Sequence, residues 1–214
     1  MEYLLSLILA VPAIIIGLVF HEYAHALAAD KLGDPTPRSY GRLTIEPWPH
    51  LDILGLLLIF IPPHFGWAKP VPIDPRNFKK PRRDEIIVSI AGPLANLLIA
   101  VLSGFVLMLT IKFNIFANSL PAQTTLVNII VLTMIININL FLLNLIPIPP
   151  LDGSHILANI LPYNYSRKYL ELQRYGMIIL LILIVTGIFG FLLSIPSGMI
   201  AELIMKMFAI NKYM

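Results

Sequence analysis

Apolar positions in this chain are gathered into long uninterrupted runs and are not spaced at a helical or strand period. The runs fall at 3–20, 86–111, 124–146 and 175–195. Each is close to or beyond the roughly 20 residues that carry a helix across a bilayer core of about 30 Å. Four transmembrane helices are predicted. A fifth run, 51–61, is short and ends at Pro62-Pro63. It suits a re-entrant segment, whose backbone must be covered by protein or line a wet cavity. The polar stretches 30–50, 67–85 and 151–174 are loop-sized and leave no room for a separate soluble regulatory domain. The first run lacks a basic leader and a clear small-residue cleavage site, so it reads as retained. The expectation is one integral-membrane unit over 1–214, with a core over 3–160, a further helix over 175–195 and a tail over 196–214. Within that tail, 199–210 suits an interfacial amphipathic helix or an extension of the last span. The fold class is an all-α polytopic membrane protein. Four to six transmembrane helices are expected, plus a re-entrant or short-strand segment near residue 50.

Composition agrees with the pattern and narrows it. Hydrophobic residues make up 57% of the 214 and charged residues 13%, about half the charged share of a soluble domain, and mean hydropathy is +0.82. A soluble enzyme and a disordered chain are excluded. There are no cysteines, so any bound metal must be held by His, Asp or Glu. The net charge of +3 does not point to nucleic acid, because the basic residues sit between membrane segments. Of the 15 Lys and Arg, nine are Lys31, Arg38, Arg42, Lys69, Arg76, Lys79, Lys80, Arg82 and Arg83, and three more are Arg167, Lys168 and Arg174. By the positive-inside rule both loops are cytoplasmic. The 79–83 cluster also suits anionic headgroups.

Against this apolar background the run Phe20-His21-Glu22-Tyr23-Ala24-His25 stands out. Imidazoles at i and i+4 share one helix face and can reach one Zn2+, with Glu22 beside the metal as a base for water. Three ionisable residues in five membrane positions are expensive and functional by default. A catalytic zinc needs a third protein ligand and an open position. The extended form of the motif would need His at position 31, which is Lys31, and Glu46 lies among prolines that forbid a helix. The remaining candidates are Asp52, Asp152, His50 and His64. Asp152 fits best: Pro147, Pro149 and Pro150 break the helix before it, and Gly153 allows a backbone shape closed to other residues. His21 lies roughly 27 Å along its helix from Tyr3, at about 1.5 Å per residue. That matches the expected depth of Asp152.

Three segments in order, His21-Glu22-x-x-His25, Ala91-Gly92-Pro93-Leu94-Ala95-Asn96 and Asn144-x-x-Pro147-x-x-x-Leu151-Asp152-Gly153, resemble the site-2 protease family of intramembrane zinc metalloproteases. The stretches Gly41-Arg42-Leu43-Thr44-Ile45-Glu46-Pro47 and Gly66-Trp67-Ala68-Lys69-Pro70-Val71-Pro72 resemble its short branch, which lacks PDZ and cystathionine-synthase-type domains. The resemblance implies one zinc ion on His21, His25 and Asp152, Glu22 as catalytic base, and Asn144 near the scissile peptide. It implies a transmembrane protein as substrate, hydrolysed in or near its membrane segment, and a multi-pass enzyme of the cell membrane with its active site toward the cytoplasm.

Other residues carry weaker expectations. Asn96 reads as close helix packing against the zinc helices, with direct catalysis as the lesser reading. Asn128, Asn137 and Asn139 read as polar glue between helices. His50 and Asp52 are candidates for gating water or contacting substrate. The stretch 38–48, with Leu43-Thr44-Ile45 at its centre, has strand-like composition and offers an edge for an unwound substrate. The competing class is a membrane zinc-binding or zinc-transport protein. Transport would need ligands on several helices, and the runs 86–111 and 175–195 hold no Asp, Glu or His.

Overall fold

The structure, a computed structural model, describes residues 2–62, 66–116 and 119–210, with side chains from residue 7 onward. His64 lies outside the described residues. The elements in chain order are α1 (Glu2–Leu32), α2 (Thr36–Ser39), α3 (Ile53–Leu58), a 3-10 turn (Pro75–Asn77), α4 (Pro81–Lys112), α5 (Leu120–Asn144), α6 (Asp152–Ile160), α7 (Tyr163–Leu170), α8 (Gln173–Val185) and α9 (Ile188–Met207). No strand forms among the described residues. The protein is an all-α polytopic membrane protein.

Among the described residues, four helices are long and apolar enough to cross a membrane: Leu7–Leu32 of α1, α4, α5 and α9. Three coincide with the expected spans. The fourth differs, because the apolar stretch 175–195 is not one helix. Gly187 adopts φ 74, in the left-handed region, and separates α8 from α9. The 13 residues of α8 rise about 20 Å at 1.5 Å per residue, short of the bilayer core. The helix here with the length and apolarity to cross is α9, which runs through Pro196, a residue that neighbouring helices make tolerable in a membrane. Residues 199–207 therefore belong to a helix long and apolar enough to span.

Helices α1, α4 and α5 pack on one another, and α9 lies against α5. Ala100, Met134, Ile138, Ala201 and Ile204 interlock α4, α5 and α9. Leu107, Ile130 and Ile210 extend that seam. At the other end of α4, Val88 packs with Ala29 and Phe78. The loop after α1 is fastened by Asp34, which is fully buried and accepts from Asp74 N–H (2.8 Å) and Asn77 Nδ2 (2.8 Å) as well as from Thr36. Burial works against its charge, yet those donors hold its pKa below the usual carboxylate range.

The expected strand at 38–48 is absent. Residues 36–39 form α2, and turns and bends occupy much of 40–50. Pro47 and Pro49 have no N–H to give to a ladder, and the His50 imidazole takes the Thr44 carbonyl at 2.7 Å. Among the described residues the one extended pairing is an antiparallel bridge between Leu51 and Ala68. The 51–61 run folds as α3, six residues capped by Asp52, whose side chain accepts from Gly55 N–H at 2.9 Å. It is too short to span, and Ile53, Leu54 and Leu57 lie on the surface.

Candidate metal centre

The two imidazoles sit inside α1, which continues past them to Leu32. Apolar counting stops at Phe20 only because the motif itself is polar. His21 and His25 are one turn apart on one face, their rings edge to face with centroids at 4.6 Å. Asp152 reaches them from the first residue of α6. Its Oδ2 lies 3.1 Å from His21 Nε2 and 3.3 Å from His25 Nε2, and the two Nε2 atoms are 3.0 Å apart. The break after α5 brings Asp152 back to α1, as the prolines predict. Gly153 acts differently from expectation. Its φ is not positive, and it is needed for space: a Cβ there would lie 2.5 Å from the Leu145 carbonyl carbon.

Partners on α4 fix what this triangle can bind. His21 Nδ1 is 2.7 Å from Asn96 Oδ1, and His25 Nδ1 is 2.8 Å from the Val88 carbonyl. Both partners are acceptors, so both Nδ1 atoms carry the proton and both Nε2 atoms turn a lone pair toward Asp152. Asp152 Oδ2 is buried without a hydrogen-bond donor. Three lone pairs thus face one point. Without a metal they need an added proton to hold together; a divalent cation satisfies all three at once. For tetrahedral zinc with bonds of about 2.0 Å, ligand atoms stand about 3.3 Å apart. The observed 3.0 to 3.3 Å fits. No other group of three His, Asp or Glu residues close enough to hold a metal is found among the described residues.

A cavity of about 650 Å³ opens onto the triangle, lined among others by Glu22, Val71, Asn144, His155 and Met177. It supplies the face that three protein ligands leave free. Glu22 is buried, and its Oε2 accepts the Val71 N–H at 3.1 Å. The segment bearing Val71 is held by Arg42, only 4% exposed, whose guanidinium donates to the carbonyls of Pro49, Lys69 (3.0 Å) and Pro70. Burial lowers the Arg42 pKa, and the nearby Glu22 charge opposes that. Arg42→Met keeps the stem but leaves three carbonyls without their donor. We expect cleavage to fall tenfold or more with bound zinc unchanged, measured as turnover per zinc; wild-type turnover would remove the role of this clasp.

The other sequence candidates separate clearly. Asn144 lines the cavity, with Nδ2 donating to Leu140 O at 3.0 Å. Asn96 belongs to the centre through His21. His50, fully buried, and Asp52 do not reach it: one braces the 44–50 loop and the other caps α3. Arg42 was read as a topology charge and as part of the Gly41–Pro47 resemblance, with no role at the centre. The Val71 N–H leaves no mark in a sequence, and His155 carries no motif of its own.

With the geometry in hand, comparison with known proteins agrees. The profile described as peptidase family M50 matches residues 110–187. YwhC, a proposed zinc metalloprotease of Bacillus subtilis (strain 168), is 39% identical over 200 residues, covering 93% of this chain and 90% of YwhC. Rip2, a proposed zinc metalloprotease of Mycolicibacterium smegmatis (strain ATCC 700084 / mc(2)155), is 30% identical over 190 residues, 87% of this chain and 70% of Rip2. No solved structure matches at a significant level. The chain belongs to peptidase family M50, the site-2 protease family. It is a zinc metallopeptidase of the membrane.

Proposed function

We propose that this protein hydrolyses peptide bonds in or near the transmembrane segments of membrane proteins, with its active site toward the cytoplasmic side of the cell membrane. His21, His25 and Asp152 hold one zinc ion in this reading. The observation that carries it is the convergence of their three lone pairs on the wall of a single cavity, with Glu22 beside them. The His pair lies within an apolar helix long enough to span, and the basic loop that follows it supports the cytoplasmic orientation.

Zinc so held supplies Lewis acidity toward a scissile carbonyl and toward water. Glu22 takes the proton of the attacking water and returns it to the leaving amine. The Val71 N–H holds one carboxylate oxygen, so the other is free for that exchange. Asn144, which also lines the cavity, hydrogen-bonds the substrate backbone or the developing oxyanion. Zinc transport is disfavoured because the donors form one cluster and no second group lines a path among the described residues.

The test is reconstitution in lipid nanodiscs with a panel of single-span proteins tagged at both ends. Product termini mapped by mass spectrometry should fall within the apolar stretch or a few residues from it. Cuts confined to soluble parts would overturn the intramembrane reading. Zinc flux across vesicles without cleavage would favour the transporter.

A further inference from the structure

A line of amides runs from the metal centre across three helices. His21 Nδ1 meets Asn96 Oδ1 on α4 at 2.7 Å. The Asn96 Nδ2 donates both to the Gly17 carbonyl on α1 (3.0 Å) and to Asn137 Oδ1 on α5 (2.9 Å). Asn137 Nδ2 donates in turn to the Thr133 carbonyl at 2.9 Å. Asn96 and Asn137 are fully buried.

The direction of this line is set from its far end, and the Gly17 carbonyl supports it at Asn96. The Thr133 carbonyl can only accept, so Asn137 must give it the NH2 and turn its oxygen to Asn96. Asn96 must then give its NH2 to Asn137 and its oxygen to His21. The His21 proton is thereby held on Nδ1, and its Nε2 lone pair is left for a metal. The line has been given room. A Cβ on Gly17 would lie 2.9 Å from Asn137 Oδ1 and 2.8 Å from Leu140 Cδ1. Glycine one turn before His21 lets α5 bring its amide to α4.

We infer that Asn137 is a positioning residue of the metal centre: through Asn96 it fixes the imidazole form of His21 that binds zinc. Helix glue alone would need only that α4 and α5 be bonded, in either direction. The arrangement here has a direction, and the direction ends at a ligand. If Asn137 is lost, the Gly17 carbonyl is the one acceptor left to orient the Asn96 amide. An amide turned the other way offers His21 a donor, moves the imidazole proton to Nε2 and blocks the metal.

The inference rests on the reading of His21 as a zinc ligand, so the experiment separates the two. Zinc affinity is measured by chelator competition on full-length protein in detergent, together with the visible spectrum of the cobalt-substituted form. Helix content and thermal unfolding of the metal-free protein establish that each variant is folded. Asn137→Leu should bind zinc 10- to 100-fold more weakly, the range for residues that orient a ligand, with an altered cobalt spectrum. Asn139→Leu, on the same helix two residues on, should bind as wild type. Asn137→Asp, protonated in this dry setting, keeps a donor for Thr133 and an acceptor for Asn96 and should restore affinity to within about threefold, well inside that loss. If Asn137→Leu does not accumulate, Asn137→Ala takes its place. Wild-type affinity in the Leu or Ala variant, or an Asp variant as weak as Leu, overturns the inference. Full zinc binding by His21→Ala would instead overturn the ligand reading beneath it.

Discussion

Glu22→Gln is expected to leave zinc bound at the wild-type level and lower cleavage by about 10²- to 10⁴-fold, the usual share of a positioned proton carrier. The substitution changes little else. Gln has the same length, and its amide oxygen still accepts the Val71 N–H that Glu22 Oε2 now holds at 3.1 Å. His21 and His25 keep Asn96 and Val88 as their partners, so the ligand geometry survives. What is lost is the ability to take a proton. Turnover on a single-span substrate and zinc per protein, measured on the same preparation, check both halves. Cleavage at the wild-type rate with zinc retained would remove Glu22 from the reaction. Loss of zinc would show that it supports the ligands and is not the proton carrier.

The four residues at the centre were legible because polar chemistry in an apolar helix has no cheap structural explanation. His21, Glu22 and His25 break a run that would otherwise continue to Ala29. Asp152 could be paired with them because prolines before it end a helix at similar depth. The limits of the sequence follow from the same physics. Hydropathy averages over one glycine, so the left-handed turn at Gly187 vanished into an apolar run, and one helix was placed at 175–195 where the chain forms α8 and, at 188–207, the longer α9. Strand propensity at Leu43-Thr44-Ile45 failed because the neighbouring prolines and the His50 imidazole use the backbone otherwise. Arg42 was counted with the loop charges, since no one-dimensional pattern tells a buried guanidinium on three carbonyls from a solvated one. Asn137 was rightly seen as a bridge between helices. Its direction became visible only when the acceptors at both ends were known.

Gly92→Ala sets two physical arguments against each other, and the structure decides between them. Helix propensity alone favours alanine in the interior of α4 by about 1 kcal/mol, which predicts a slightly more stable protein. The tertiary setting predicts loss of the metal centre. Val88, Gly92 and Asn96 follow one another at intervals of four down the face of α4 that meets α1. The first gives a carbonyl to His25 and the last an amide oxygen to His21. Gly92 lies midway between these acceptors, where a Cβ would stand 2.6 Å from His25 Cε1 and 2.7 Å from His21 Cε1, and nearer still to His25 Nε2. Neither ring can give way without leaving its acceptor, and backing α4 away would break both bonds together. Since losing one ligand-orienting partner weakens metal binding 10- to 100-fold, disturbing both should weaken zinc by at least about 100-fold. Cleavage should then be undetectable while the helices remain formed. Zinc content after chelator exchange, read beside helical circular dichroism, measures this. A variant that keeps its zinc and its turnover would mean that α1 and α4 are not packed closely enough at this level to hold the two imidazoles on one ion.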